Sequence, residues 1–109
     1  MLKRENRLKT VKLNNPKTLS APQFILKISG NNAGVSRFAF IISKKIDKRA
    51  VVRNSLRRKI SSSVEEIFDK IKTGNDFVFY PKSSALKQER KDLSREIKNI
   101  FSKGNFLND

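Results

Sequence analysis

The stretch Lys44 to Ile60, KKIDKRAVVRNSLRRKI, constrains this chain more than any other. Eight of its residues are cationic (Lys44, Lys45, Lys48, Arg49, Arg53, Arg57, Arg58 and Lys59), against one acid, Asp47. Val52, Leu56 and Ile60 fall four apart, and the series continues through Val64, Ile67 or Phe68, and Ile71. That recurrence predicts a helix with one buried face. Arg49, Arg53 and Arg57 repeat at the same interval and form a second stripe, with Asn54 and Arg58 beside it. A helix that packs one face and lines another with guanidinium groups suits a polyanion, because the planar fork of donors matches phosphate oxygens. The plainer alternative is a solvated basic face. The density of cations with so few balancing acids argues against it.

The rest of the chain extends this bias. The formal net charge is +15 over 109 residues, a length that fits one domain spanning 1–109. Such a charge disfavours the compact state by self-repulsion unless a polyanion neutralises it. Nucleic acid is therefore the expected partner, ahead of an anionic membrane surface. No apolar run is long enough to span a bilayer, and the opening MLKRENRLKTVKLNNP has no apolar core of a secretory signal. Zero cysteines exclude disulfides and thiolate zinc sites and fit a cytoplasmic setting. Zero histidines remove the imidazole base and the commonest metal ligand. The carboxylates are dispersed, most of them on the outer faces of two expected helices, so no two-metal hydrolytic centre is read here. No catalytic or metal-binding side chain is assigned.

Taken in order, residues 1–22 form a basic N-terminal segment. Arg7 and Lys9 stand near its start, while Pro16 and the Asn14–Asn15 pair disfavour helix from 11 to 22. Phe24–Ser29 and Arg37–Ser43 alternate as strands and, across the turn SGNNAG, read as a hairpin. The basic helix is expected from an Asp47 N-cap to about Lys72, with Gly74 as its stop. Asp76–Tyr80 is a third strand ended by Pro81. A last helix runs from about Leu86 to Lys103, and 104–109 reads as a frayed tail. The order strand, strand, helix, strand, helix gives an α/β (α+β) two-layer sandwich.

With these elements in place, the chain resembles the bacterial ribonuclease P protein component over essentially its whole length. The resemblance rests on Arg7-Leu8-Lys9, a strand ending in Ser43-Lys44-Lys45, then Arg49-Ala50 and Arg53-Asn54 followed by Leu56, Arg57 and Arg58. It implies a small mixed sheet packed on the long basic helix and the C-terminal helix, with a left-handed βαβ crossover. It also implies the small subunit of a ribonucleoprotein whose RNA removes the 5′ leader of precursor tRNA, with Mg2+ held mainly by the RNA and none by the protein alone. Carried over by position, Lys44, Lys45, Lys48, Arg49, Arg53, Asn54, Arg57 and Arg58, with Arg7 and Lys9, would contact the catalytic RNA. Five to eight such contacts would give a log–log salt slope of roughly −4 to −7. The family's leader cleft lies between a first helix and the exposed face of the sheet. By alternation that face is Ile25, Lys27, Ala39, Ile41 and Ser43, with Val78 or Tyr80. Tyr80 would stack on a base or, equally, serve as an amphipathic edge residue.

Three positions depart from the family pattern. Ser55 replaces an arginine of the signature, Ser61 replaces a later basic residue, and residues 11–22 lack the aromatics of the first helix. A structural RNA-binding protein, such as a ribosomal protein with no part in cleavage, is the alternative reading.

Overall fold

The computed structural model describes residues 2–9 and 12–108. The elements follow as β1 (Lys17–Ser20), β2 (Phe24–Gly30), β3 (Arg37–Phe40), α1 (Ala50–Glu66), β4 (Asn75–Pro81) and α2 (Arg90–Lys103). Short 3-10 turns lie at Arg4–Asn6, Phe68–Lys70 and Ser83–Lys87. The strands form one mixed sheet in the order β1-β2-β4-β3. β2 is antiparallel to both β1 and β4, whereas β3 runs parallel to β4 with α1 as the crossover between them.

One face of the sheet carries the core. Phe24, Leu26 and Ile28 of β2, Phe77 and Phe79 of β4 and Phe38 of β3 are buried against Leu56, Ile60 and Val64 of α1 and Leu93, Ile97, Ile100 and Phe101 of α2. The phenylalanines interlock: Phe77 stacks on Phe38 at 5.2 Å between ring centroids and meets Phe101 edge-on at 5.1 Å. Offset and edge-on geometries are those that ring quadrupoles favour.

The expected hairpin is not formed. β2 and β3 are separated by β4, which pairs with both. Burial explains the insertion. Phe77 and Phe79 are fully buried on the core face and Val78 is fully buried in the outer-face row between Lys27 and Ala39, so this strand takes neighbours on both edges. β3 stops at Phe40 rather than Ser43, although the Ile41 amide still donates to the Phe79 carbonyl at 2.9 Å. β1 falls in residues 11–22, where the sequence disfavours helix and leaves a further strand open. It holds the outer edge of β2, pairing Leu19 with Leu26.

Both helices are shorter than their periodicity predicts. α1 begins at Ala50, so Arg49 and not Asp47 occupies the capping position. Asp47 still contributes, accepting the Arg49 backbone N–H at 2.8 Å. Val52 is only half-buried and lies outside the core cluster. At its other end α1 gives way at Ile67 to the 3-10 turn. That turn brings Ile71 into an antiparallel bridge with Leu107. α2 starts at Arg90, after a 3-10 turn and an extended Gln88.

The segment after Gly104 does not hang free. Lys72 N–H donates to the Phe106 carbonyl at 2.8 Å, Asn108 N–H donates to the Lys70 carbonyl at 2.7 Å, and the Phe106 ring packs edge-on to Phe77 at 5.6 Å. Gly104 is required by close approach rather than by backbone angle, since its φ is −81°. A Cβ there would lie 2.7 Å from Leu19 Cδ1 and 2.9 Å from the Phe106 ring.

Candidate nucleic-acid interface

The apolar stripe of α1 is drawn into the core through Leu56, Ile60 and Val64, which turns the arginine stripe outward. Lys44, Lys45 and Lys48 are exposed in the loop before α1, and Arg49, Asn54 and Arg58 are exposed on the helix. Several of the arginines are held. Arg49 pairs with Asp47 through two guanidinium nitrogens at 3.1 and 3.0 Å. Arg53 is half-buried and donates through one terminal nitrogen to the carbonyls of Asp47 and Lys48, at 2.9 and 2.8 Å. Arg57 donates to Asn54 Oδ1 at 2.6 Å. A guanidinium has five N–H donors, so each retains some for an outside acceptor while its orientation is already set. The bonds to Arg49 hold the Asp47 carboxyl down at about 2, well under its ordinary 3.8, and the carboxylate raises Arg49 in turn.

The N-terminal residues expected to join this surface do lie near it. The Leu8 amide donates to the Phe38 carbonyl at 2.8 Å, and Arg7 bridges Phe38 in parallel, so this segment adds to the open edge of β3. Arg7 Nε is steadied by the Leu2 carbonyl at 3.1 Å. Arg7 and Lys9 line, together with Arg57 and Arg58, a groove of about 690 Å3 that also meets Ala39, Ile41, Ser61 and Glu65.

The second expected surface is the outer face of the sheet. Register places Lys27, Val78 and Ala39 in one cross-strand row and Ile25 beside Tyr80 in the next. Lys27 Nζ sits 5.3 Å from the Tyr80 ring centroid, a cation–π distance. Ile25, Lys27 and Tyr80 are half-buried, and Ile41 and Ser43 are exposed. Val78 is fully buried and Ala39 nearly so, so Tyr80 is the β4 residue that offers surface. No helix covers this face from 12 to 16. Instead Asn14 accepts a bond from Ser29 Oγ at 2.9 Å, and Asn15 turns with φ 45°.

One feature of this face is invisible to periodicity. Asp76 is buried and accepts Arg37 through two bonds at 2.7 and 2.9 Å, and Asn31 Nδ2 at 2.7 Å. The pair fastens the β2–β3 loop to β4, and only the parallel register of β3 on β4 reveals it.

Among the described residues, no three His, Cys, Asp or Glu side chains gather as metal ligands, and no helix is long and apolar enough to cross a membrane. Comparison with known proteins supplies the family. The ribonuclease P family model matches residues 1–105. A ribonuclease P protein component of Microcystis aeruginosa is 35% identical over 74 residues, covering 68% of this chain and 62% of that relative. One from Clostridium botulinum is 31% identical over 93 residues, covering 84% of this chain and 83% of that relative. In fold, the ribonuclease P protein of Thermotoga maritima superposes with a TM-score of 0.75 at 19% identity, over 82% of this chain and 84% of that one. With the arginine face of α1, the mixed sheet and these matches together, the chain belongs to the ribonuclease P protein component family.

Proposed function

We propose that this chain is the protein subunit of ribonuclease P. It binds the catalytic RNA through the arginine face of α1 and assists removal of the 5′ leader from precursor tRNA in the cytoplasm. The family match over residues 1–105 is the observation that carries the reading. The exposed, pre-oriented cations of α1 supply its physical basis. Arg49, Arg53, Asn54, Arg57 and Arg58, with Lys44, Lys45 and Lys48, meet RNA phosphates, and Arg7 and Lys9 extend that surface past the β3 edge. The exposed parts of Ile25, Lys27, Ile41, Ser43 and Tyr80 offer the leader a face on which bases rest without sequence demands. Cleavage chemistry belongs to the RNA and its magnesium ions. The protein contributes charge neutralisation and positioning, which lowers the magnesium that the RNA needs.

The test is cleavage of precursor tRNA by the catalytic RNA of the same genome at low magnesium, with and without this protein. Restored 5′ cleavage supports the reading. Binding to unrelated structured RNAs with no effect on cleavage would transfer the chain to structural RNA binding.

A further inference from the structure

Asp47 is the single acid between Lys44 and Ile60, and it sits within the surface proposed for RNA. Simple electrostatics makes it a fault there, since a carboxylate repels phosphate. The geometry gives it a different role. Oδ1 accepts both the Arg49 backbone N–H at 2.8 Å and Arg49 Nε at 3.1 Å, while Oδ2 accepts Arg49 Nη2 at 3.0 Å. Both carboxylate oxygens are thus turned to one arginine, and the guanidinium keeps Nη1 to donate outward. Arg49 is the exposed member of the pair and Asp47 the covered one, at 75% and 16% of side-chain surface, so an incoming phosphate meets the guanidinium first. The pair stands at the entry to α1, where Arg49 occupies the capping position and the first turn carries no acid of its own. Arg53 is held differently, on the main-chain carbonyls of Asp47 and Lys48 at 2.9 and 2.8 Å, so the carboxylate acts chiefly on Arg49.

We infer that Asp47 is a positioning residue for RNA binding: by holding the Arg49 guanidinium at the entry to α1, this acid raises the affinity of a basic surface for a polyanion. The role rests on the reading of α1 as the RNA-binding face and identifies what sets the geometry of one of its arginines. Its physical ground is entropy. A loose arginine loses rotamer freedom when a phosphate captures it, whereas an arginine already bonded has lost that freedom on folding. The competing role for Asp47 is charge alone. An acid that merely cancels one cation weakens RNA binding, and its removal adds a phosphate contact and steepens the salt dependence. The two roles therefore predict opposite signs for the same substitution.

The test measures Kd of the full chain for the catalytic RNA of the same genome, at one fixed salt concentration and well below the melting temperature of every variant. Asp47→Ala and Asp47→Asn remove the same charge, but asparagine keeps an Oδ1 acceptor for Arg49. Positioning predicts that Asp47→Ala weakens binding by about two- to tenfold, the cost of ordering one rotamer-rich side chain, with Asp47→Asn between it and the wild type. Arg49→Ala supplies the second arm. Without the guanidinium the carboxylate has nothing to hold, so in that background Asp47→Ala should no longer weaken binding. If Asp47→Ala fails to fold, Asp47→Asn with and without Arg49→Ala decides. Equal and tighter binding by both Asp47 variants makes the residue a charge only and overturns the inference. So does a lower Tm with an unchanged Kd, which makes it a structural cap, and so does a weakening that persists in the Arg49→Ala background. A wild-type protein that does not bind the RNA overturns the RNA-binding reading itself, and this inference with it.

Discussion

Arg53 and Arg57 show how single side chains on a basic helix divide their work. Arg53 ties the first turns of α1 to the carbonyls of Asp47 and Lys48, and Arg57 is braced by Asn54. Each keeps donors for phosphate. Replacing both by alanine should therefore weaken binding to the catalytic RNA and shrink the log–log salt slope by roughly 1.4 to 1.8, at about 0.7–0.9 per contact. A salt titration checks this, and an unchanged slope would remove the arginine stripe from the interface. Asp47 gives a pH prediction. Its folded value, about 2, lies below the ordinary 3.8, so its contribution is complete above 3.8 and is lost as pH falls through about 2. With no histidine in the chain, stability and RNA affinity should both be flat from about pH 6 to about pH 8. Chemical denaturation and binding at each pH test this, and a titration near neutrality would point to a group that this structure does not identify.

At the level of elements, the spacing of α1 named Leu56, Ile60 and Val64 as its inner face, and all three are buried. Leu56→Asp should abolish the folded state, because a charge would sit on a packed face without a partner. Leu56→Ala should cost about 2–5 kcal/mol. Far-UV circular dichroism with thermal melting separates the two, and a soluble, native Leu56→Asp variant would mean the faces are reversed. Periodicity overstated both helices because it counts buried apolar residues and not hydrogen bonds. Ile67 and Ile71 continue the stripe of α1 and are buried, yet they reach the core through a 3-10 turn. Leu86 likewise packs from a 3-10 turn before α2. The outer face of the sheet was legible by alternation, except that burial of Val78 leaves that strand's surface to Tyr80.

Across the whole molecule, the docking of the C-terminal segment and the net charge matter most. Gly104 lets the end of α2 approach β1, and Phe106 then fills the space beside Phe77. Gly104→Ala should destabilise the protein by about 1–3 kcal/mol, an overpacking cost that an urea melt would detect. A neutral result would mean that Leu19 and Phe106 yield without strain. The charge of +15 predicts that RNA stabilises the fold beyond simple screening. At a free RNA concentration near 100 times Kd, the gain should be about 2.7 kcal/mol, read as a rise in Tm. A rise matched by salt alone would reduce it to screening.

Local pattern determined what is local. The period of α1, the density of cations on its outer face, the alternation of β2 and β3, the apolar face of α2 and the motif run from Arg7 to Arg58 were all readable from neighbours in sequence. Pairing across the chain was decided only in three dimensions. The turn between β2 and β3 is short enough for a hairpin, and nothing nearby in sequence forbids one. β4 enters between them because Phe77 and Phe79 bury in the core while Val78 is buried by a neighbour on each edge, an arrangement that the centre of a sheet supplies. The same placement sets Asp76 against Arg37 and turns the edge of β3 toward the N-terminal segment. The groove at that edge follows from the same event, because Arg7 and Arg57, which both line it, lie some fifty residues apart in the sequence and come together only when β3 is an edge strand.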